Sequence, residues 1–104
     1  MKTIAAVMLG ATLALLVSRP VSANAFETNM KNNCYSAAKK LQDIYGFDGK
    51  GVDMAYRLCS RAYTQASADY PIHKALTVAR GSYIGESAIK AGYEYYRIDA
   101  PLYK

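Results

Sequence analysis

Cys34 and Cys59 are the only cysteines of this 104-residue chain, His73 is its single histidine, and Asp43, Asp48 and Asp53 stand five apart around a glycine turn. These side chains have the widest chemical range, and each set fails a specific test. A redox cysteine pair normally shows C-x-x-C spacing or an electropositive thiolate site, and neither is present here. One histidine cannot build a zinc site without thiolate or carboxylate partners. A haem would need an axial partner such as Met30 or Met54, and no C-x-x-C-H is present. No serine or cysteine nucleophile is identifiable beside His73. Intervals of five do not place the three aspartates on one helical face. "FDGKGVD" looks like part of an EF-hand loop. With Gly51 at the invariant glycine, however, Gly46, Lys50 and Arg57 fall where oxygen ligands belong. Gly49-Lys50-Gly51 lacks the G-x-x-x-x-G-K-[ST] pattern. The expectation is a protein that is not an enzyme, with no catalytic residue, no metal site and no cofactor.

The elements that hold these residues begin after a leader. Met1-Lys2-Thr3 is basic, Ile4 to Val17 is apolar, and Ala23-Asn24-Ala25 fits an A-x-A cleavage site. The apolar run is shorter than the roughly 20 residues that span a bilayer. Residues 1–25 are therefore expected to be a signal peptide, with Phe26 to Lys104 as a single mature helical domain. Stable membrane insertion after cleavage is not expected. Lys2 and Arg19 leave with the leader, so the net charge falls from +5 to +3. That modest, mixed charge argues against nucleic acid as a partner.

In an exported chain two cysteines read as one disulfide. Between them lies the turn "YGFDGKG". Upstream, Met30, Cys34, Ala37, Leu41 and Ile44 form an apolar helical stripe; downstream, Val52, Ala55, Cys59, Ala62 and Ala66 form another. Two antiparallel helices, about 27–45 and 50–67, then bring Cys34 level with Cys59. Lys39 with Asp43 and Asp53 with Arg57 are expected i,i+4 ion pairs. Closing this loop should stabilise so small a domain by about 3 kcal/mol.

Asp69 and Pro71 suit the start of a third helix, about 71–80. Ile72, Leu76, Ala79 and Tyr83 make one stripe; Val78, Gly81, Ile84, Gly85, Ala88, Ile89, Gly92, Tyr95 and Tyr96 make a second on nearly the opposite side. A break at Arg80-Gly81-Ser82 with a fourth helix over 82–97 accounts for both. One continuous helix buried on alternate sides is the rival. Residues 98–104, with Pro101, read as an extended or frayed tail. The fold class expected is all-α, three or four helices on a disulfide-stapled hairpin. Gly81, Gly85, Ala88 and Gly92 line up as a helix-packing groove, filled either by the hairpin of the same chain or by another surface, a homodimer partner included.

Tyrosine is the compositional anomaly, with 10 against two phenylalanines and no tryptophan. Tyr45, Tyr56, Tyr63, Tyr95 and Tyr96 are expected at the core edge with their hydroxyls at the rim. Tyr35, Tyr83 and Tyr93 fall on polar faces near Arg57, Arg61 and Arg97, and tyrosine beside arginine is the usual chemistry of a protein interface. The functional expectation is a periplasmic or secreted protein that binds another protein of the envelope, as an inhibitor or immunity-type factor. The alternatives are an envelope stress or chaperone-like protein and a secreted cationic effector. No motif matches a known family residue by residue.

Overall fold

The computed structural model describes residues 25–103, so the signal peptide expected over residues 1–25 lies, apart from Ala25, outside the described residues. Those residues are all helical apart from turns and form no strand. Helix α1 covers 25–45, α2 Gly49–Ser67, α3 Ile72–Val78 and α4 Tyr83–Asp99. A 3-10 turn, Ala100–Tyr103, follows α4 directly. No helix among the described residues is long and apolar enough to cross a membrane.

The hairpin forms because its turn has the right chemistry. Asp48 sits in extended backbone as the N-cap of α2, and its carboxylate accepts from the Gly51 amide at 3.1 Å. That satisfies one of the orphan donors of the first helical turn. Cys34 and Cys59 are joined, with Cα atoms 5.4 Å apart, and both are fully buried. Around them pack Ala37, Ala38, Leu41, Ala55 and Ala88. Small side chains let the helices approach as closely as a disulfide needs. The stripe of α1 leaves the core at its end, since Ile44 is 63% exposed and Tyr45 also faces solvent. Asp53 and Arg57 pair at 2.9 Å and Glu27 with Lys31 at 3.6 Å. Lys39 and Asp43 do not pair, and Glu94 pairs with Arg97.

Helix α2 stops by a different device from the one its sequence suggests. Asp69 does not start a helix. It holds the left-handed conformation, φ +59°, with its amide bonded to the Ala66 carbonyl, while the Tyr70 amide reaches Gln65. This pair of bonds is a Schellman end, and it turns the chain so that Pro71 can cap α3. The chain beyond it is two helices, and the two stripes divide between them except that Val78, expected on the second stripe, ends α3 and Tyr83, expected on the first, opens α4, both of them exposed. Helix α3 ends at Val78, Gly81 takes φ +84°, and Ser82 caps α4 by accepting from the Gly85 amide at 3.1 Å. Gly81 is thus a turn residue with open space around it and lies outside the packing groove.

The remaining members of that stripe pack inside the same chain. A Cβ on Gly92 would lie 2.4 Å from the Cys59 carbonyl oxygen and 2.7 Å from the Ala62 Cβ. Glycine is therefore required for the contact between α4 and α2. Gly85 abuts Ala79 and Ser82, where a Cβ would be tight at 3.2 Å rather than prohibited. Ala88 joins the cystine cluster, and Ile89 joins a second cluster with Ala62, Ala75 and Ala79. Helix α1 packs with α2 and α4 in the first cluster, and α3 packs with the same two helices in the second.

The chain after residue 97 is not extended or frayed. Helix α4 runs on to Asp99 because Asp99 is buried and bonded. Pro101 fits the 3-10 turn that follows, where its missing N–H costs nothing.

Candidate functional site

Two parts of the described structure combine unusual residues with a defined shape, and they share Tyr96. The first is a buried polar cluster where α1 begins and α4 ends. The Tyr63 hydroxyl donates to Asp99 Oδ2 at 2.7 Å, and Asn33 Nδ2 donates to the same oxygen at 2.9 Å. Tyr103 lies 2.9 Å from the Tyr63 hydroxyl, and Asn29 Nδ2 donates to Tyr103 at 3.1 Å. Because Tyr63 gives its proton to the carboxylate, its oxygen accepts from Tyr103, and the chain of donors points toward Asp99. Among the described residues no cation lies within ion-pair distance of that carboxylate. Burial first, then the bonds to Tyr103 and Asp99, hold the Tyr63 phenol far above its ordinary pKa. The ring of Phe26 closes the cluster with edge-on contacts to Tyr63 and Tyr103, both at 5.1 Å, and to Tyr96 at 6.3 Å. Tyr63 is completely buried, so its hydroxyl is interior and not at the rim.

The second is a groove of about 750 Å³ between the α2–α3 corner and the last turns of α4. The Schellman end of α2 places Tyr70 and Ile72 opposite Tyr93 and Tyr96, with Ala66 and Ala100 also lining the groove. The Tyr93 hydroxyl donates to the Tyr70 carbonyl at 2.7 Å, which ties the two walls together. Tyr93 is thus half-buried and structurally engaged rather than free on a polar face. Burial, and then the neighbouring Tyr70, raise its pKa. The rim carries two cations, Lys90 and Arg97, and two acids, Asp69 and Glu94.

A shallower groove of about 440 Å³ lies between α1 and α2, with Tyr35, Val52 and Tyr56 as its apolar surface and Lys31 and Asp53 among its polar groups. The six residues expected at an interface therefore do not share one surface. Tyr93 and Arg97 line the large groove and Tyr35 the shallow one. Arg57 is held beside the shallow groove by Asp53. Arg61 borders a hollow of about 50 Å³. Tyr83 is 77% exposed and lines none of these.

Tyr70, Asn29, Asn33, Asp99 and Tyr103 escape the sequence reading, and Ile72, expected on the apolar stripe of the third helix, is instead 40% exposed at the groove. Their partners are distant in sequence, and no local spacing reports a bond from residue 33 to 99 or from 63 to 103. His73 is exposed, and among the described residues no three histidine, cysteine or acidic side chains gather as a metal site. Compared with protein-family models, with characterised proteins and with solved structures, the chain matches none.

Proposed function

We propose that this chain is an exported protein, periplasmic or secreted, that acts by binding another protein of the envelope as an inhibitor or immunity-type factor. The observation that carries the reading is the large groove. Tyr70, Ile72, Tyr93 and Tyr96 form a mainly apolar surface there, on a scaffold held by a buried disulfide. Tyrosine supplies broad contact area at low entropic cost, and a pre-formed groove avoids the cost of ordering on binding. The leader and the disulfide agree with an oxidising compartment. The deciding experiment is a pull-down with the tagged protein from periplasmic extract. One partner recovered in stoichiometric amount supports the reading, and recovery of none overturns it.

A second reading, an envelope stress or chaperone-like protein, draws on a different observation. Val78, Leu102 and Ile44 are 78%, 68% and 63% exposed, respectively. Weak binding of many unfolded clients would follow from such a surface. Suppression of client aggregation at substoichiometric partner recovery would select this reading over the first.

A further inference from the structure

The positive charge of the domain is concentrated in one part of it. Residues 26–53 carry four acids and four lysines, and residues 86–104 carry three acids and three cations. Residues 54–85 carry Arg57, Arg61, Lys74 and Arg80 against Asp69 alone. The whole net charge of +3 therefore falls between Met54 and Gly85. Ion pairing sharpens the contrast. Arg57 is held by Asp53, whereas Arg61, Lys74 and Arg80 are exposed and have no acid within ion-pair distance among the described residues.

Two of these cations flank one apolar surface. Leu58, Arg61 and Gln65 of α2 and Val78 of α3 line the hollow of about 50 Å³. No acid lines it, whereas Asp69 and Glu94 line the large groove and Asp53 the shallow one. Lys74 stands one turn before Val78, on the same flank of α3. Ile72, which lines the large groove, is about 200° round the helix from Lys74. Val78 is 78% exposed, and Met54, one turn before Leu58 on α2, is 53% exposed.

Shape and charge together select the occupant. A hollow of about 50 Å³ is far smaller than a ligand pocket, so the flank offers a protein partner no socket. A second copy would set the same cations face to face across a two-fold axis. An anionic bilayer needs neither socket nor register. It accepts short apolar groups such as Val78 and Met54 at its boundary and draws the cations beside them to its headgroups.

We infer that the α2–α3 flank, with Arg61, Lys74, Val78 and Met54, docks peripherally on an anionic phospholipid bilayer. This goes beyond the protein-binding reading and does not use the large groove.

The probe is vesicles of phosphatidylglycerol and phosphatidylcholine in equal parts. They are sedimented with the protein in the form the cell accumulates, its disulfide intact. Binding is expected at low salt, about tenfold or more weaker on pure phosphatidylcholine, and lost as added salt screens the exposed charges. Each cation near such a surface is worth about fivefold, so Arg61→Ala with Lys74→Ala should weaken binding about 25-fold. Lys39→Ala with Lys40→Ala removes the same charge from exposed positions of α1 and should weaken it less than about threefold. Val78→Ser should weaken it severalfold with no change of charge. All five positions are exposed, so the variants should keep the parent's melting temperature.

No binding to the mixed vesicles, equal binding to the neutral ones, or equal loss in the two double variants overturns the inference. A pull-down whose protein partner is lost with Arg61→Ala and Lys74→Ala, while the vesicles stay unbound, assigns the flank to an acidic protein surface and overturns it too.

Discussion

The two ends of the α1–α2–α4 packing solve the problem of a small core in opposite ways. Around Cys34 and Cys59 the contact is dry, made of alanines, Leu41 and a covalent bond. Where α1 begins and α4 ends, the contact is aromatic and polar, made of Tyr63, Asp99, Asn33, Tyr103 and Phe26. Alanine buries little apolar surface, so the dry half needs its crosslink. Tyrosine buries far more per residue, but every hydroxyl carried inside must find a partner. The difference shows that a chain this short can reach stability by two routes at once. The first is vulnerable to reduction and the second to loss of a single hydrogen-bonding group.

The largest effect should come from breaking the dry half. Replacing both cysteines, Cys34→Ala with Cys59→Ala, should cost about 3 kcal/mol by releasing the unfolded chain from its closed loop. Chemical denaturation of the variant and the parent measures it directly. If the loss is below about 1 kcal/mol, the alanine packing alone holds the hairpin and the comparison fails on that side.

The polar half should break next. Tyr63→Phe removes the hydroxyl that donates to Asp99 and accepts from Tyr103, leaving a buried carboxylate short of a donor. The expected cost is about 1–3 kcal/mol. The same hydroxyl makes stability depend on alkali. Its folded pKa is raised above the ordinary 10.0, so its contribution is complete below about pH 10 and is lost as pH rises further. In a titration followed by tyrosinate absorbance, one phenol should ionise only together with unfolding, and Tyr63→Phe should lack that step. An ordinary phenol titration with all ten tyrosines ionising in the folded protein would show that the cluster is wetter than its geometry implies.

The two halves were unequally legible in the sequence, and the reason is physical. Periodicity reports which residues share a helix face, so the Cys34 and Cys59 stripes follow from spacing, while the turn between them follows from its glycines and the disulfide from two cysteines that this turn brings level in a chain read as exported. The polar cluster has no period. Asn33 to Asp99 and Tyr63 to Tyr103 are single long-range bonds, and a buried aspartate looks in sequence like any surface one. Asp69 misleads for a related reason. A residue that caps helices in extended backbone can also stop one in left-handed backbone, and only the bonds to Gln65 and Ala66 separate the two roles. The large groove inherits this blindness, because Tyr70 and Ile72 reach it only through that corner.

The glycine stripe then tests how closely the dry side is packed. Gly92→Ala places a Cβ against the Cys59 carbonyl, which belongs to a helix that cannot yield locally, and should cost about 1–3 kcal/mol despite the gain in helix propensity. Gly85→Ala meets only Ala79 and Ser82 at the margin of contact and should stay within about 1 kcal/mol of the parent. Comparable losses at both positions would mean that the corner between α3 and α4, at Ala79 and Ser82, is as unyielding as the α2 backbone at Cys59.

The smallest effect concerns the one polar atom that the dry half leaves unmatched. The Ser60 hydroxyl, next to Cys59 in α2, is buried without a hydrogen-bond partner among the described residues. In the tyrosine cluster every hydroxyl at comparable depth is bonded, so Ser60 breaks the rule that separates the two halves. Ser60→Ala removes an unpaired buried group and improves helix propensity, and should stabilise the protein by about 0.5–1 kcal/mol. Thermal melts of the oxidised protein give the sign, since about 1 kcal/mol shifts the midpoint of a small domain by several degrees. A destabilised Ser60→Ala would mean that the hydroxyl has a partner in solution. The cystine side would then need polar satisfaction as the tyrosine side does, and the contrast between them would reduce to the disulfide.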